Sequence, residues 1–123
     1  MVGFDFSGVV EKAGPGCSRF KVGDRVWGMI KGLPQRDRGT VAEFALIEES
    51  VCAACPEGVS DVDCCALPLT SITAVIAFEK CGLRDVTNPT TEEKTDTSST
   101  AGPRVLVLGG AGGVGVSAIQ LAK

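Results

Sequence analysis

Three glycines at fixed spacing form the most informative chemical pattern in this chain. Gly110, Gly112 and Gly115 make a G-x-G-x-x-G motif between the apolar run 105–108 and the apolar stretch 116–121. Between a strand and a helix, the first of these glycines permits a tight turn, the second permits close approach of the backbone to a pyrophosphate, and the third permits close packing of helix on strand. Backbone N–H groups and the positive end of the helix dipole favour an anion there. The motif therefore predicts a dinucleotide-binding turn.

A phosphate-binding P-loop is the nearest alternative for the same glycines. Gly110 and Gly115 have the P-loop separation, and Ser117 stands where its final hydroxyl belongs. Val116, however, takes the place of the lysine that engages the terminal phosphates. The P-loop interpretation is rejected, and a glycine-rich turn that binds nothing remains the other alternative.

Cysteines are the second group of residues that could do chemistry. Cys52 and Cys55 form a C-x-x-C pair, which is typical of zinc or redox sites. The chain has no histidine, Cys64 and Cys65 are adjacent rather than a second such pair, and Pro56 indicates a turn instead of a helix. We interpret the six cysteines as thiols of a reducing compartment and expect no metal site.

The composition excludes several classes of protein. Hydrophobic residues make up 44% of the 123 residues and charged residues 22%, which is typical of a globular protein. The net charge of -3 provides no basic face for nucleic acid. The chain contains neither an apolar run of the roughly 20 residues that span a membrane nor the pattern of a secretory signal. We expect a soluble intracellular protein.

The elements that would position these residues change in character along the chain. Short strands are expected within residues 4–10, 26–30 and 40–47, with glycines at the corners, as in a small barrel. Pro68 near the start of an apolar stretch and Gly82 after its end predict a helix within residues 66–80.

The remaining segments are a polar stretch and one further strand. Residues 84–102 lose all apolar periodicity and are rich in Thr, Ser, Asn, Pro and Glu, which predicts a flexible surface insertion. The run 105–108 is continuously apolar, as in a strand buried on both faces of a parallel sheet.

Taken together, these motifs resemble the medium-chain dehydrogenase/reductase superfamily. Five segments carry the resemblance in the expected order: 3–10 (G-x-D-x-S-G-x-V), 20–28 (F-x-x-G-D-R-V), 39–44 (G-x-x-A-E-F), 66–74 (A-x-L-P…T-A) and the glycine turn 109–115. Zinc alcohol dehydrogenases have a histidine ligand where this chain has Phe4, and a structural-zinc cysteine cluster that it lacks. The chain therefore resembles the zinc-independent quinone oxidoreductase branch, and most of all the mitochondrial reticulon-interacting type.

The resemblance implies an α/β fold with a β-barrel part. A partial GroES-like barrel would be followed by the first helix and the first βα unit of a Rossmann domain. Residues 1–65 are expected to form the partial GroES-like substrate domain, and residues 66–123 the start of the cofactor domain, with the insertion at 84–102. Because family members continue before and after these segments, the chain is expected to be a fragment.

The resemblance also implies an NAD(P)H-dependent oxidoreductase that reduces quinones or α,β-unsaturated carbonyls by hydride transfer, without zinc. NADPH is the expected cofactor and NADH the alternative. Thr73 would lie near the nicotinamide, and no catalytic residue is assigned. The pyrophosphate would lie against Gly110, Ala111, Gly112, Gly113, Val114 and Gly115. The resemblance allows a homodimer of the full-length protein, in the cytoplasm or the mitochondrial matrix.

A non-catalytic interpretation stays open beside the enzymatic one. A truncated product could act as a binding module or have no function. A strand at 105–108 without parallel neighbours would leave its backbone groups unpaired. We therefore expect residues 1–123 alone not to bind the cofactor tightly, and whether this chain is by itself an enzyme is left undecided.

Overall fold

The computed structural model describes residues 2–31, 39–83 and 104–123. Two compact units are present: the first extends to Leu69, and the second begins at Thr70. The strands and α-helices of these residues follow in the order β1 (Asp5–Val9), β2 (Arg25–Met29), β3 (Cys52–Ala54), α1 (Asp61–Cys65), α2 (Pro68–Lys80) and α3 (Gly113–Leu121), and a 3₁₀ helix at Glu49–Val51 precedes β3. The predicted division after residue 65 stays a prediction, and the predicted insertion 84–102 lies outside the described residues.

The first unit is built on an antiparallel sheet of order β1-β2-β3. Phe6 lies opposite Gly28, and Val26 opposite Ala54. The Asp24 carboxylate accepts the backbone N–H of Lys21 at 2.9 Å and closes the turn before β2. The strands predicted within 4–10 and 26–30 are confirmed.

The two faces of this sheet bury different residues. Phe6 and Val26 are buried on one face. On the other face α1 contacts β1 and β2 and buries Cys64. Ser60 caps α1, because its Oγ accepts the backbone N–H of Asp63 at 3.1 Å. The sequence analysis missed both α1 and β3, although Ser60-x-x-Asp63 is a recognisable capping pattern.

The strand expected within 40–47 is wrong. Thr40 and Val41 donate backbone N–H groups to the carbonyls of Gly3 and Val2, at 3.3 and 2.9 Å. The next N–H, that of Ala42, turns back to the carbonyl of Thr40 at 2.9 Å. This turn ends the pairing after two residues and leaves the apolar side chains beyond it exposed.

The helix predicted within 66–80 is confirmed as α2. It begins at Pro68 and ends in a Schellman motif, in which Leu83 and Gly82 donate backbone N–H groups to the carbonyls of Phe78 and Glu79, each at 3.0 Å. Pro68, Ala74 and Phe78 are its buried residues.

The strand expected at 105–108 is wrong, whereas the helix that follows it is confirmed as α3. Leu106 is 83% exposed and Leu108 is 85% exposed. A strand buried on both faces needs neighbouring strands to satisfy its backbone groups. The described residues of the second unit contain no such neighbour.

An ion pair between Arg25 of β2 and Asp61 of α1 connects this helix to the sheet. Arg25 Nη2 donates to Asp61 Oδ1 at 2.6 Å and to the carbonyl of Val59 at 3.0 Å, and the hydroxyl of Ser7 donates to the same Asp61 oxygen at 3.0 Å. The hydrogen bond from Arg25, followed by that from Ser7, lowers the pKa of the Asp61 carboxyl.

This lowered pKa makes part of the stability of the first unit dependent on pH. A carboxyl whose pKa is lower in the folded than in the unfolded chain stabilises the fold above the unfolded value, and this contribution is lost as the pH falls through the folded value. We expect the unfolding free energy of Asp61→Asn to change less than that of wild type across the range in which carboxyls titrate, about pH 2 to 6. Urea unfolding followed by circular dichroism measures it. Glu57→Gln removes one exposed carboxyl of the same unit as a control, and equal pH profiles for wild type and Asp61→Asn would contradict the assignment.

Candidate functional site

The glycine turn of the second unit reverses the chain at Gly109. This residue has a φ of +74°, in the region that favours glycine, and its carbonyl accepts the backbone N–H of Gly112 at 3.0 Å. The sequence analysis assigned the tight turn to Gly110. The structure corrects this by one residue, because the positive φ falls at Gly109.

Gly115 fills the role predicted for the third glycine. It is the buried residue of α3. A Cβ at this position would collide with the carbonyl oxygen of Gly109 and would lie 2.7 Å from the Cα of Gly110. Only a residue without a side chain allows the helix to pack this closely on the turn.

The first turn of α3 presents backbone N–H groups to an open surface. Gly112 is the N-cap, and the first helical hydrogen bond runs from the N–H of Val116 to the carbonyl of Gly112 at 2.8 Å. The N–H groups of Gly113, Val114 and Gly115 therefore precede the hydrogen-bonded part of the helix. The first turn, all of it in the described part of the chain, has no acidic side chain. Residues 111–114 are exposed, so an anion can reach these donors.

Hydroxyl side chains of α2 hold the turn in place within the second unit. Ser117 Oγ lies 3.4 Å from Thr70 Oγ1, 3.5 Å from Ser71 Oγ and 3.1 Å from the carbonyl oxygen of Gly113. A Cβ on Gly113 would lie 2.9 Å from Thr70 Cγ2. The sequence analysis missed Thr70 and Ser71, because sequence spacing alone does not show which side chains of α2 meet the turn.

Thr73 is exposed on α2, three residues after Thr70. Residues three apart share a face of a helix, so Thr73 lies on the side of α2 that contacts the glycine turn. Its contact with a nicotinamide stays a prediction.

The first unit contains an open cavity of about 350 Å³ beside β1. It is lined by Gly3, Phe4, Asp5, Phe6, Ser7, Thr40, Val41 and Cys65. The Asp5 carboxylate accepts the backbone N–H of Leu69, the second residue of α2, at 2.7 Å. This carboxylate stabilises the start of a helix beside the cavity.

The C-x-x-C thiols do not converge on a common site. Cys52 Sγ donates to the carbonyl of Glu48, and Cys55 Sγ lies within 3.5 Å of Ser7 Oγ. Within residues 2–31, 39–83 and 104–123, no group of three or more His, Cys, Asp or Glu side chains could hold a metal. Over the same residues, no helix combines the length and apolarity needed to cross a membrane.

Comparison with known proteins identifies this architecture. Residues 1–59 match the family model of the alcohol dehydrogenase GroES-like domain. The chain superposes on the crystal structure of an alcohol dehydrogenase superfamily protein from Novosphingobium aromaticivorans with a TM-score of 0.78 and 32% identity, over 99% of this chain and 32% of that one. The chain belongs to the medium-chain dehydrogenase/reductase superfamily. The predicted superfamily and fold class are confirmed.

Further members of the superfamily resemble the chain over nearly its whole length. The quinone oxidoreductase of Coxiella burnetii gives a TM-score of 0.73 with 29% identity over 98% of this chain and 32% of that one. A 2-methylene-furan-3-one reductase of Solanum lycopersicum is 39% identical over 98% of this chain and 28% of its own. A zinc-type alcohol dehydrogenase-like protein of Staphylococcus aureus is 38% identical over 100% of this chain and 33% of its own length.

The human relative bears on the predicted subtype. NAD(P)H oxidoreductase RTN4IP1, mitochondrial, of Homo sapiens is 34% identical over 99% of this chain and 27% of its own length. The chain thus spans about a third of the length of the curated relatives it matches.

Proposed function

We propose that the chain forms part of an NAD(P)H-dependent oxidoreductase that reduces quinones or α,β-unsaturated carbonyls by hydride transfer without zinc. The observation that carries the proposal is the glycine turn, in which Gly115 packs without a side chain under the carbonyl of Gly109 at the start of α3. The names of the reductase, quinone oxidoreductase and NAD(P)H oxidoreductase relatives support the same chemistry.

The turn fits the pyrophosphate of a dinucleotide. Exposed backbone at 111–114, helix N–H donors and the absence of acidic side chains in the first turn of α3, within the described residues, favour a doubly charged anion. The residues that would hold it are Gly110, Ala111, Gly112, Gly113, Val114 and Gly115. The preference for NADPH over NADH and a homodimer of the full-length protein stay predictions.

The protein's own contribution would be orientation and shielding. When bound, the nicotinamide supplies the hydride. Thr73 would orient the nicotinamide ring. The cavity beside β1, with Phe4, Phe6 and Val41 among its lining residues, would hold a flat, weakly polar quinone or enone.

The proposal of zinc-free chemistry rests on the side chains of the same cavity. Phe4 offers no ligand atom, and the neighbouring Asp5 carboxylate already accepts the N–H of Leu69. The Staphylococcus relative is named a zinc-type protein, so the metal is tested directly. We expect elemental analysis of the purified chain to find far less than one zinc per chain, and we expect the activity of the chimera described below to survive a chelator. The cytoplasm or the mitochondrial matrix is the proposed location; the name of the human relative supports the latter.

A chimera tests the proposed function. Residues 1–123 replace the aligned segment of the Solanum reductase, and NADPH oxidation is measured with a quinone or an enone as acceptor. We expect turnover. We expect Gly112→Ala to reduce this turnover on the order of tenfold or more, because a side chain at this position would keep the pyrophosphate away from the backbone N–H groups that would bind it. Phe44→Ala, at an exposed position of the first unit, is the matched control. A chimera that folds and binds NADPH yet reduces neither acceptor would contradict the proposal.

A further inference from the structure

The side chain of Ser117 bonds back to the first turn of its own helix. Its Oγ donates to the carbonyl oxygen of Gly113 at 3.1 Å. This carbonyl belongs to the planar peptide that joins Gly113 to Val114, and the same plane carries the N–H of Val114. That N–H is one of the three that precede the hydrogen-bonded part of α3. The Ser117 hydroxyl therefore holds the peptide that carries a donor of the glycine turn.

Helix α2 supports the same peptide within the second unit. Ser117 Oγ lies 3.4 Å from Thr70 Oγ1 and 3.5 Å from Ser71 Oγ. Thr70 Cγ2 would lie 2.9 Å from a Cβ on Gly113, so the methyl group of Thr70 packs against this glycine. The peptide between Gly113 and Val114 is thus held at its carbonyl by a hydroxyl and at its first Cα by a methyl group.

A hydrogen bond to the carbonyl of a peptide also affects the N–H of that peptide. Hydrogen bonds in a chain polarise one another, so a donor on the carbonyl oxygen of Gly113 makes the N–H of Val114 a stronger donor. Ser117 is half-buried, whereas residues 111–114 are exposed to an approaching anion. Ser117 can therefore act on an anion through the peptide, without contact between its own side chain and the anion.

We propose that Ser117 is a positioning residue for the pyrophosphate, acting through the peptide between Gly113 and Val114. The inference rests on the proposed function, because it assumes that the glycine turn binds the pyrophosphate of a dinucleotide. Without the hydroxyl, the backbone donors of the turn remain, but this peptide loses the bond that orients and polarises it. Affinity for the dinucleotide then falls on the order of threefold to tenfold, the range that one hydrogen bond contributes.

Titration of the isotope-labelled 123-residue chain with NADPH tests the proposal. Ser117→Ala should raise the dissociation constant on the order of threefold to tenfold, and Ser117→Thr, which keeps a hydroxyl able to bond the same carbonyl, should restore the wild-type value. Alanine is the better helix former, so Ser117→Ala should keep its resistance to urea. This combination of lost affinity and kept stability separates a positioning role from a merely structural one.

Gln120→Ala is the matched control. Gln120 Nε2 donates to the carbonyl oxygen of Val116 at 3.4 Å, which is the same kind of bond one turn later in α3. The N–H on that peptide is the one of Ser117, within the hydrogen-bonded part of the helix. Gln120→Ala should therefore bind NADPH as the wild type does.

The free chain gives a readout that needs no ligand. Ser117→Ala should shift the amide signal of Val114 more than Gln120→Ala does, and Ser117→Thr should shift it less than Ser117→Ala. Equal NADPH affinity of Ser117→Ala and wild type, or equal losses in Ser117→Ala and Gln120→Ala, would overturn the positioning role and leave the dinucleotide site standing. A wild-type chain in which NADPH shifts no amide of the turn would contradict the dinucleotide site, and the positioning role with it.

Discussion

Gly115→Ala is expected to destabilise the second unit by about 1–3 kcal/mol, the usual range for adding a methyl group to a well-packed site. The added Cβ would collide with the carbonyl oxygen of Gly109 and approach the Cα of Gly110 to 2.7 Å. Both neighbours are backbone atoms, so a change of rotamer cannot relieve the clash. Amide hydrogen exchange of α3 and urea unfolding measure the loss.

Gly112→Ala is the matched control for this change. Its Cβ would lie 3.4 Å from the same carbonyl oxygen, and its φ of -80° suits any residue. We expect it to fold with nearly wild-type stability while weakening dinucleotide binding. Equal stability of Gly115→Ala and Gly112→Ala would show that α3 does not pack on the turn as described.

Phe6→Ala is expected to lower the unfolding free energy of the first unit by about 3–5 kcal/mol, the range for removing a buried aromatic ring. Phe6 is 9% exposed and is the second residue of β1. Its ring atoms come within 3.1 Å of the position that a Cβ on Gly28 would occupy, so the ring packs directly against the backbone of β2. Loss of the ring leaves a cavity over this strand pair.

Phe44→Ala removes the same side chain from an exposed site. Phe44 is 67% exposed, and substitutions at such positions usually change stability by no more than about 0.5 kcal/mol. Urea unfolding of both variants under identical conditions gives the comparison. Similar losses for Phe6→Ala and Phe44→Ala would contradict the placement of the core on this face of the sheet.

Elements with local signals were predictable from the sequence, and elements that depend on a distant partner were not. Pro68 and Gly82 bracket α2 within the sequence itself, and the structure uses both. The run 105–108 has the composition of a buried strand but forms none, because composition does not supply the neighbouring strands that its backbone requires. The segment 40–47 failed for a related reason: its pairing ends where Ala42 turns back to Thr40.

The site shows the same division between local and distant information. The motif predicted close packing at Gly115, and Gly115 packs closely on the turn at Gly109, because turn and helix are consecutive in the chain. It placed the tight turn one residue late, at Gly110, since Gly109 and Gly110 are indistinguishable by type. The cavity beside β1 was not predicted, because residues as distant as Gly3, Thr40 and Cys65 meet only in the folded unit.

Titration of the isotope-labelled chain with NADPH, followed by amide chemical shifts, tests the central claim that the glycine turn holds the pyrophosphate. The backbone amides of Gly112, Gly113, Val114 and Gly115 should shift together. Affinity should be weak, with a dissociation constant on the order of 1 mM, because this chain spans only about a third of the length of its relatives. Gly112→Ala should suppress the shifts. NADPH that leaves these amides unmoved at about ten times that concentration, or that shifts them equally in Gly112→Ala, would contradict a dinucleotide site at the turn.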